Sequence, residues 1–277
     1  MTDAAPRLKA PALACDSHIH IYDSTTPLAP TATARAPAWA TVAAYRAVQK
    51  RIGTKRVIVV QPTAYGTDNR CTVAAIAELG QASTRGVAVI DTSVSAAELQ
   101  RLNVIGIRGA RFQMLPGGAL PWEQMEPVAA RIADLGWHIQ MQMDGRILKD
   151  REALISRLPC TVVIDHVGKF LEPVPVSHPG FQSLLRLLDR GNVWLKLAAP
   201  YEVSKSGPPL YADVGALAKR AVETHPERMV WASNWPHVAA AVPEDDAMML
   251  DLLLDWAPDT ATRNRILVDN PSELYGF

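Results

Sequence analysis

LACDSHIHIY, residues 13–22, is an apolar run of strand length whose polar members include Asp16, Ser17, His18 and His20. Apolar runs of similar length recur at 56–61, 86–91, 106–113, 138–143, 161–167, 193–199 and 229–234. Turn chemistry follows each, and in most cases a longer stretch comes next with apolar residues at helical spacing, as at 71–79, 96–102, 123–135, 150–158, 181–190 and 211–224. Strands that alternate with helices predict a parallel sheet covered by helices. Eight such units in 277 residues fit the α/β class as a closed (β/α)8 TIM barrel, an architecture of about 250 residues. The expected organisation is one domain: an N-terminal tail at 1–12 and the barrel at 13–277. A doubly wound open sheet is the rival fold.

The 28 basic and 28 acidic side chains cancel. That leaves no electrostatic footprint for nucleic acid and no polybasic membrane patch. Cys15, Cys71 and Cys160 are odd in number and far apart, against both a disulfide framework and a thiolate zinc site. No stretch approaches the roughly 20 apolar residues of a membrane span, and the first residues lack the apolar core of a signal peptide. The expectation is a cytoplasmic protein acting on a small molecule. Oligomeric state stays open, a homo-oligomer included.

Breaker-rich segments fall on the strand-to-helix side: STTPLAP (24–30), LPGGALP (115–121), EPVPVSHP (172–179) and SKSGPP (204–209). In a barrel these loops share the C-terminal face, where such folds place their chemistry.

Polar residues interrupt the strands at that same face. His18 and His20, spaced i and i+2, share one side of the first strand. Two hydrogen-bonded core histidines are the bland alternative, but burying both has a desolvation cost that apolar residues would avoid. In the sixth strand, alternation sends Asp165 and His166 to opposite faces; His166 is assigned to the lumen and Asp165 to anchoring a neighbour. The eighth ends in Asn234, Trp235, Pro236 and His237, with Trp235 read as packing. Arg108 and Arg111 lie on the fourth strand, and Arg111 is assigned to the substrate because its fork suits a carboxylate. Gln140 and Gln142 on the fifth strand, Lys196 on the seventh and Tyr201 just beyond can donate to an oxyanion or line the core. Tyr65, Asn69, Tyr201 and Lys205 are loop residues assigned to reading the substrate.

Taken in order, DSHIH (16–20), GARFQMLPGGA (109–119), DHVGKF (165–170), DRGNVWLK (189–196), YADV (211–214) and NWPH (234–237) resemble the amidohydrolase superfamily. Within it they look like amidohydrolase family 2, in its lactone-processing branch, and the likeness spans nearly the whole chain. The resemblance implies an enzyme that opens or rearranges a carboxylate-bearing lactone, with His18, His20 and His166 polarising the carbonyl. Arg111, Gln142, Tyr201, His237 and Asn69 are then expected to bind substrate.

Two departures from the family pattern bear on mechanism. Binuclear zinc members add a bridging Lys or Glu, a strand-five His and a strand-eight Asp, where this chain offers Arg111 or Gln113, Gln142 and Asn234. Three imidazoles without an evident carboxylate are a poor zinc set. No metal and no other cofactor are therefore expected, with one zinc ion on His18, His20 and His166 as the alternative. Asn234 also replaces the Asp that resembles a general base in the lactonases, and an amide can orient a hydroxyl but not take its proton. Acyl transfer to a hydroxyl of the substrate itself is then favoured over hydrolysis. A barrel that only binds a sugar acid is the non-catalytic alternative.

Overall fold

A computed structural model describes residues 4–33, 36–240 and 244–277. Eight parallel strands, β1 (Cys15–Ile19), β2 (Arg56–Val60), β3 (Thr84–Ala88), β4 (Ile107–Gln113), β5 (His138–Gln142), β6 (Val162–Ile164), β7 (Val193–Leu197) and β8 (Met229–Trp231), pair in sequence order. A parallel bridge between Ile19 and Trp235 and the bond from the His20 amide to the Trp235 carbonyl (2.9 Å) bring the first strand against the end of the last. The chain is a (β/α)8 barrel in one domain. Its main helices are α1 (Val42–Ile52), α2 (Arg70–Leu79), α3 (Ala96–Ile105), α4 (Met125–Ile132), α5 (Leu148–Arg157), α6 (Pro179–Asp189), α7 (Ala212–Thr224), α8 (Asp246–Trp256), α9 (Thr260–Asn264) and α10 (Asn270–Tyr275). No helix among the described residues is long and apolar enough to cross a membrane.

Both faces of a barrel strand are buried, which writes β2 (RVIVV) and β6 (VVI) as Val- and Ile-rich runs. In RVIVV of β2, Val57 and Val59 pack outward into the main core with the helices, whereas Ile58 and Val60 join Cys15, Val87 and Tyr275 in a separate cluster. Each such side chain contributes about 1.5–3 kcal/mol by leaving water. Helix ends follow local chemistry. Thr41 and Ser95 accept hydrogen bonds from the Ala44 and Glu98 amides at the starts of α1 and α3, and Gly53 and Gly106 end those helices in the left-handed region. Residues of the N-terminal tail reach the barrel's helices, where Arg7 and Leu8 bond Asp251 on α8.

Two departures from the sequence reading shape the site. In β1 the pairing advances three residues, Asp16 to Ile19, against two in β2, Val57 to Val59. This bulge reverses the alternation, so Asp16 faces the helices while His18 and His20 face the lumen. The second departure is that β6 stops at Ile164. His166, Val167, Gly168 and Lys169 all take left-handed backbone, with φ of 56, 53, 82 and 44°, so strand alternation no longer separates Asp165 from His166.

Candidate active site

His18, His20 and His166 converge at the C-terminal end of the lumen. The His18 ring centroid lies 4.8 Å from that of His20 and 5.1 Å from that of His166. Burial holds His18 and His166 well below the ordinary histidine range, and burial with Arg111 alongside lowers His20 to about 3. All three are neutral near pH 7, and neutrality fixes two protons. His20 Nδ1 lies 2.8 Å from the Val60 carbonyl, which can only accept, so the His20 proton is on Nδ1. His20 Nε2 is therefore an acceptor, and its 3.2 Å contact with His18 Nε2 requires the proton to be on His18. His18 Nδ1 is left bare, 3.4 Å from both Lys196 Nζ and Gln140 Nε2, which can donate to it.

Beneath this chain lies a buried charged layer. Lys196 Nζ donates to Gln140 Oε1 (2.7 Å), and Gln140 Nε2 donates to Asp165 Oδ2 (3.0 Å). Asp165 Oδ1 stands 3.5 Å from Lys196 Nζ and 3.6 Å from His18 Nδ1. Burial raises the Asp165 carboxyl, but Lys196 and Arg111 outweigh it and keep it below the usual carboxylate range. Lys196 is itself lowered to about 8 by burial. The assignment of Asp165 to the face opposite His166 is thus corrected: both reach the centre, and His18, Asp165 and His166 offer ligand atoms all within 4.8 Å of one another. The expected lack of a carboxylate beside the histidines is corrected with it.

Consecutive carbonyls at the end of β2 hold the other side of the site. Val60 takes His20, and the Gln61 carbonyl takes Arg111 Nη1 at 2.7 Å. Arg111 Nη2 donates to Gln142 Oε1 (3.1 Å), and Arg111 Nε is buried with no partner. Arg108, at the start of β4, bonds the Asn103 and Ile107 carbonyls.

The rim at β8 is a second polar network. The Asn234 backbone amide donates to the His18 carbonyl (3.0 Å), which seats residue 234 beside the histidines. Its side-chain Nδ2 donates to Tyr201 Oη (2.8 Å) and to Glu202 Oε1 (3.0 Å). Both neighbours are acceptors of that amide, so Asn234 Oδ1 is the atom left to accept a hydroxyl. Glu202 also pairs with Lys169, a buried cation lowered to about 8 by burial and by Arg111. Tyr201 Oη meets His237 Nδ1 at 3.0 Å, and His237 Nε2 meets Asp246 Oδ1 at 2.9 Å.

The structure gathers His18, His20, His166, Arg111, Gln142, Asn234, Tyr201 and His237 into these two adjoining networks. Asn69 is not among them. Its Nδ2 bonds the Thr67 and Val89 carbonyls and its Oδ1 takes the Val89 amide, so the side chain fastens a loop to the end of β3. Tyr65 likewise bonds both the amide and carbonyl of Asp23, and Lys205 is exposed. Lys169, Glu202 and Asp246 were not singled out by sequence reasoning. The DHVGKF motif carries Lys169, but nothing local marks the other two.

The amidohydrolase family profile matches residues 15–277. The chain belongs to this amidohydrolase family. It is 36% identical to the D-galactarolactone isomerase of Agrobacterium fabrum over 280 residues, covering 99% of this chain and 95% of that one. It is 35% identical to the 2-pyrone-4,6-dicarbaxylate hydrolase of Comamonas testosteroni, covering 98% and 92%. The apo crystal structure of an Agrobacterium tumefaciens protein superposes with a TM-score of 0.93 at 36% identity, covering 99% of both chains. This amidohydrolase therefore resembles, along its full barrel, both an isomerase and a hydrolase.

Proposed function

We propose that this amidohydrolase opens or rearranges a carboxylate-bearing lactone, and that it moves the acyl group between hydroxyls of a sugar acid in preference to hydrolysing it. The observation that carries this reading is the fixed amide of Asn234. With Nδ2 committed to Tyr201 and Glu202, its Oδ1 can accept a substrate hydroxyl and hold it against the carbonyl. Arg111, held by Gln61 and Gln142, is assigned to the substrate carboxylate, whose geometry its fork suits. The carbonyl oxygen, entering beside the histidines, accepts the hydrogen bond that His18 Nε2 otherwise donates to His20, with His166 adjacent. Hydroxyl attack forms the new C–O bond, and collapse of the tetrahedral adduct breaks the old one.

The reaction is proposed to need no metal. Asp165 is engaged by Gln140 and Lys196, and Arg111, Lys196 and Lys169 already supply positive charge around it. A zinc-dependent hydrolase is the second reading, favoured by the gathering of His18, Asp165 and His166. Incubation with galactarolactones, a muconolactone and 2-pyrone-4,6-dicarboxylate, followed by NMR, tests the first reading. Ring migration or opening is expected, and a chain inert across that panel would remove it. Elemental analysis of protein purified without chelators separates the two: less than about a tenth of an equivalent of zinc, with full activity, defeats the second.

A further inference from the structure

The β8 network contains more than Asn234 needs. Asp246 is buried at the first turn of α8, where the helix N-terminus favours a carboxylate. A carboxylate only accepts, so the 2.9 Å contact places a proton on His237 Nε2, and in that imidazole tautomer Nδ1 is the accepting nitrogen. Tyr201, 3.0 Å away, must then donate its phenolic proton to Nδ1. Its oxygen accepts from Asn234 Nδ2 at 2.8 Å and retains one lone pair. That lone pair belongs to an oxygen hydrogen-bonded to the residue that orients the substrate hydroxyl.

We propose that Tyr201 is the general acid–base of the lactone reaction, exchanging its phenolic proton with the Asp246-backed imidazole of His237. The inference rests on the lactone reading above. As the substrate hydroxyl attacks, its proton turns from Asn234 Oδ1 and passes to Tyr201 Oη while the Tyr201 proton passes to His237 Nδ1. The carbonyl π pair moves onto oxygen, and an imidazolium stands beside the Asp246 carboxylate. When the adduct collapses, the departing ring oxygen takes a proton from Tyr201, and His237 Nδ1 returns one to Tyr201. Protons and electrons balance over the cycle. One relay serves both halves because the attacking and departing oxygens are bonded to the same carbon in the adduct. The arrangement supplies the base that Asn234 cannot be. Burial keeps the Tyr201 hydroxyl above its ordinary range, so free phenolate is not the base and the two transfers are coupled.

The experiment compares wild type, Y201F, H237Q and D246N on whichever galactarolactone wild type turns over, with Tm measured for each. Tyr201 is the catalytic residue in this scheme, and His237 and Asp246 are positioning and relay residues. Y201F and H237Q are expected to lose about 10²- to 10⁴-fold in kcat, the range of general acid–base catalysis, with KM within about threefold. H237Q is the discriminating variant, since its amide oxygen still accepts the Tyr201 hydrogen bond but cannot take the proton. It also carries the test should Y201F fail to fold. A folded H237Q or Y201F that keeps more than a tenth of the wild-type kcat, or a loss confined to KM, overturns the relay while the lactone reading stands. Wild type inert on every lactone of the panel overturns both.

Discussion

Asp16 and His18 stand two residues apart in β1, yet their side chains leave opposite faces of the strand. Asp16 Oδ2 accepts from Tyr45 Oη on α1 (3.1 Å) and Ser233 Oγ (2.6 Å), and its Oδ1 accepts from the Ser233 amide (2.9 Å). His18 meets Gln140, Lys196 and His20 inside the barrel. The bulge between them is thus held from outside by a carboxylate that never reaches the substrate. Asp16→Ala leaves buried donors unpartnered and is expected to cost about 2–5 kcal/mol of stability. The folded fraction is also expected to lose at least tenfold in kcat as His18 shifts. Urea titration and active-fraction kinetics check this, and a folded D16A with wild-type kcat would show that the bulge holds itself.

Arg111 makes two directed bonds from one fork, to Gln61 and Gln142. Lysine cannot reproduce that geometry. R111K is expected to raise KM for a lactone carboxylate by about 10- to 100-fold with a smaller effect on kcat, the size of a lost charge-assisted hydrogen bond. A KM unchanged within experimental error would mean that the substrate carboxylate sits elsewhere.

Asn234→Asp would set a second carboxylate about where Nδ2 now meets Glu202 at 3.0 Å. Two carboxylates so close share a proton, which raises one of them and removes the intended base. N234D alone is expected to lose ring migration by at least tenfold without gaining hydrolysis. N234D with E202Q relieves the repulsion and is expected to produce the open acid from water. NMR product analysis distinguishes the two, and hydrolysis by the single variant would show that Glu202 does not control residue 234.

The buried histidines make stability fall in acid. Burial lowers His20 and His138 to about 3, against about 6.5 in the unfolded chain. Below about pH 6.5 the unfolded chain therefore binds more protons than the folded one, and stability drops as pH drops. Each of these two loses about 1.4 kcal/mol per pH unit down to the folded value. Asp16 acts in the opposite sense, because burial raises it to about 6 and the folded chain holds that proton between about pH 4 and 6. The histidines outnumber it, so urea midpoints are expected to fall steadily from pH 7 to 4.5. H138L is expected to flatten the slope by about one proton's share, since both His138 nitrogens are buried without partners. An unchanged slope would contradict the assignment.

The strands were legible because a parallel barrel buries both strand faces, which writes each as an apolar run, and because the convergent histidines break that run at one end. What escaped the sequence is backbone geometry and long-range pairing. Nothing in DSHIH marks the bulge that turns His18 inward, and nothing in DHVGK announces four successive left-handed residues that bring Asp165 and His166 to the same place. Asn69 has a composition suited to a binding loop, and only the register of β3 shows it fastened to Val89. Glu202 and Asp246 find Asn234 and His237 across loops whose course no local pattern encodes.

His18, His20 and Asn234 meet where β1 touches the end of β8, through the Asn234 amide on the His18 carbonyl and the His20 amide on the Trp235 carbonyl. Those strands come from opposite ends of the order in which the sheet is built, so the site occupies the barrel's closing seam. On refolding, secondary structure can return with the other seven pairings, but turnover cannot return before the seam shuts. Recovered activity therefore reports closure of that seam rather than return of the secondary structure.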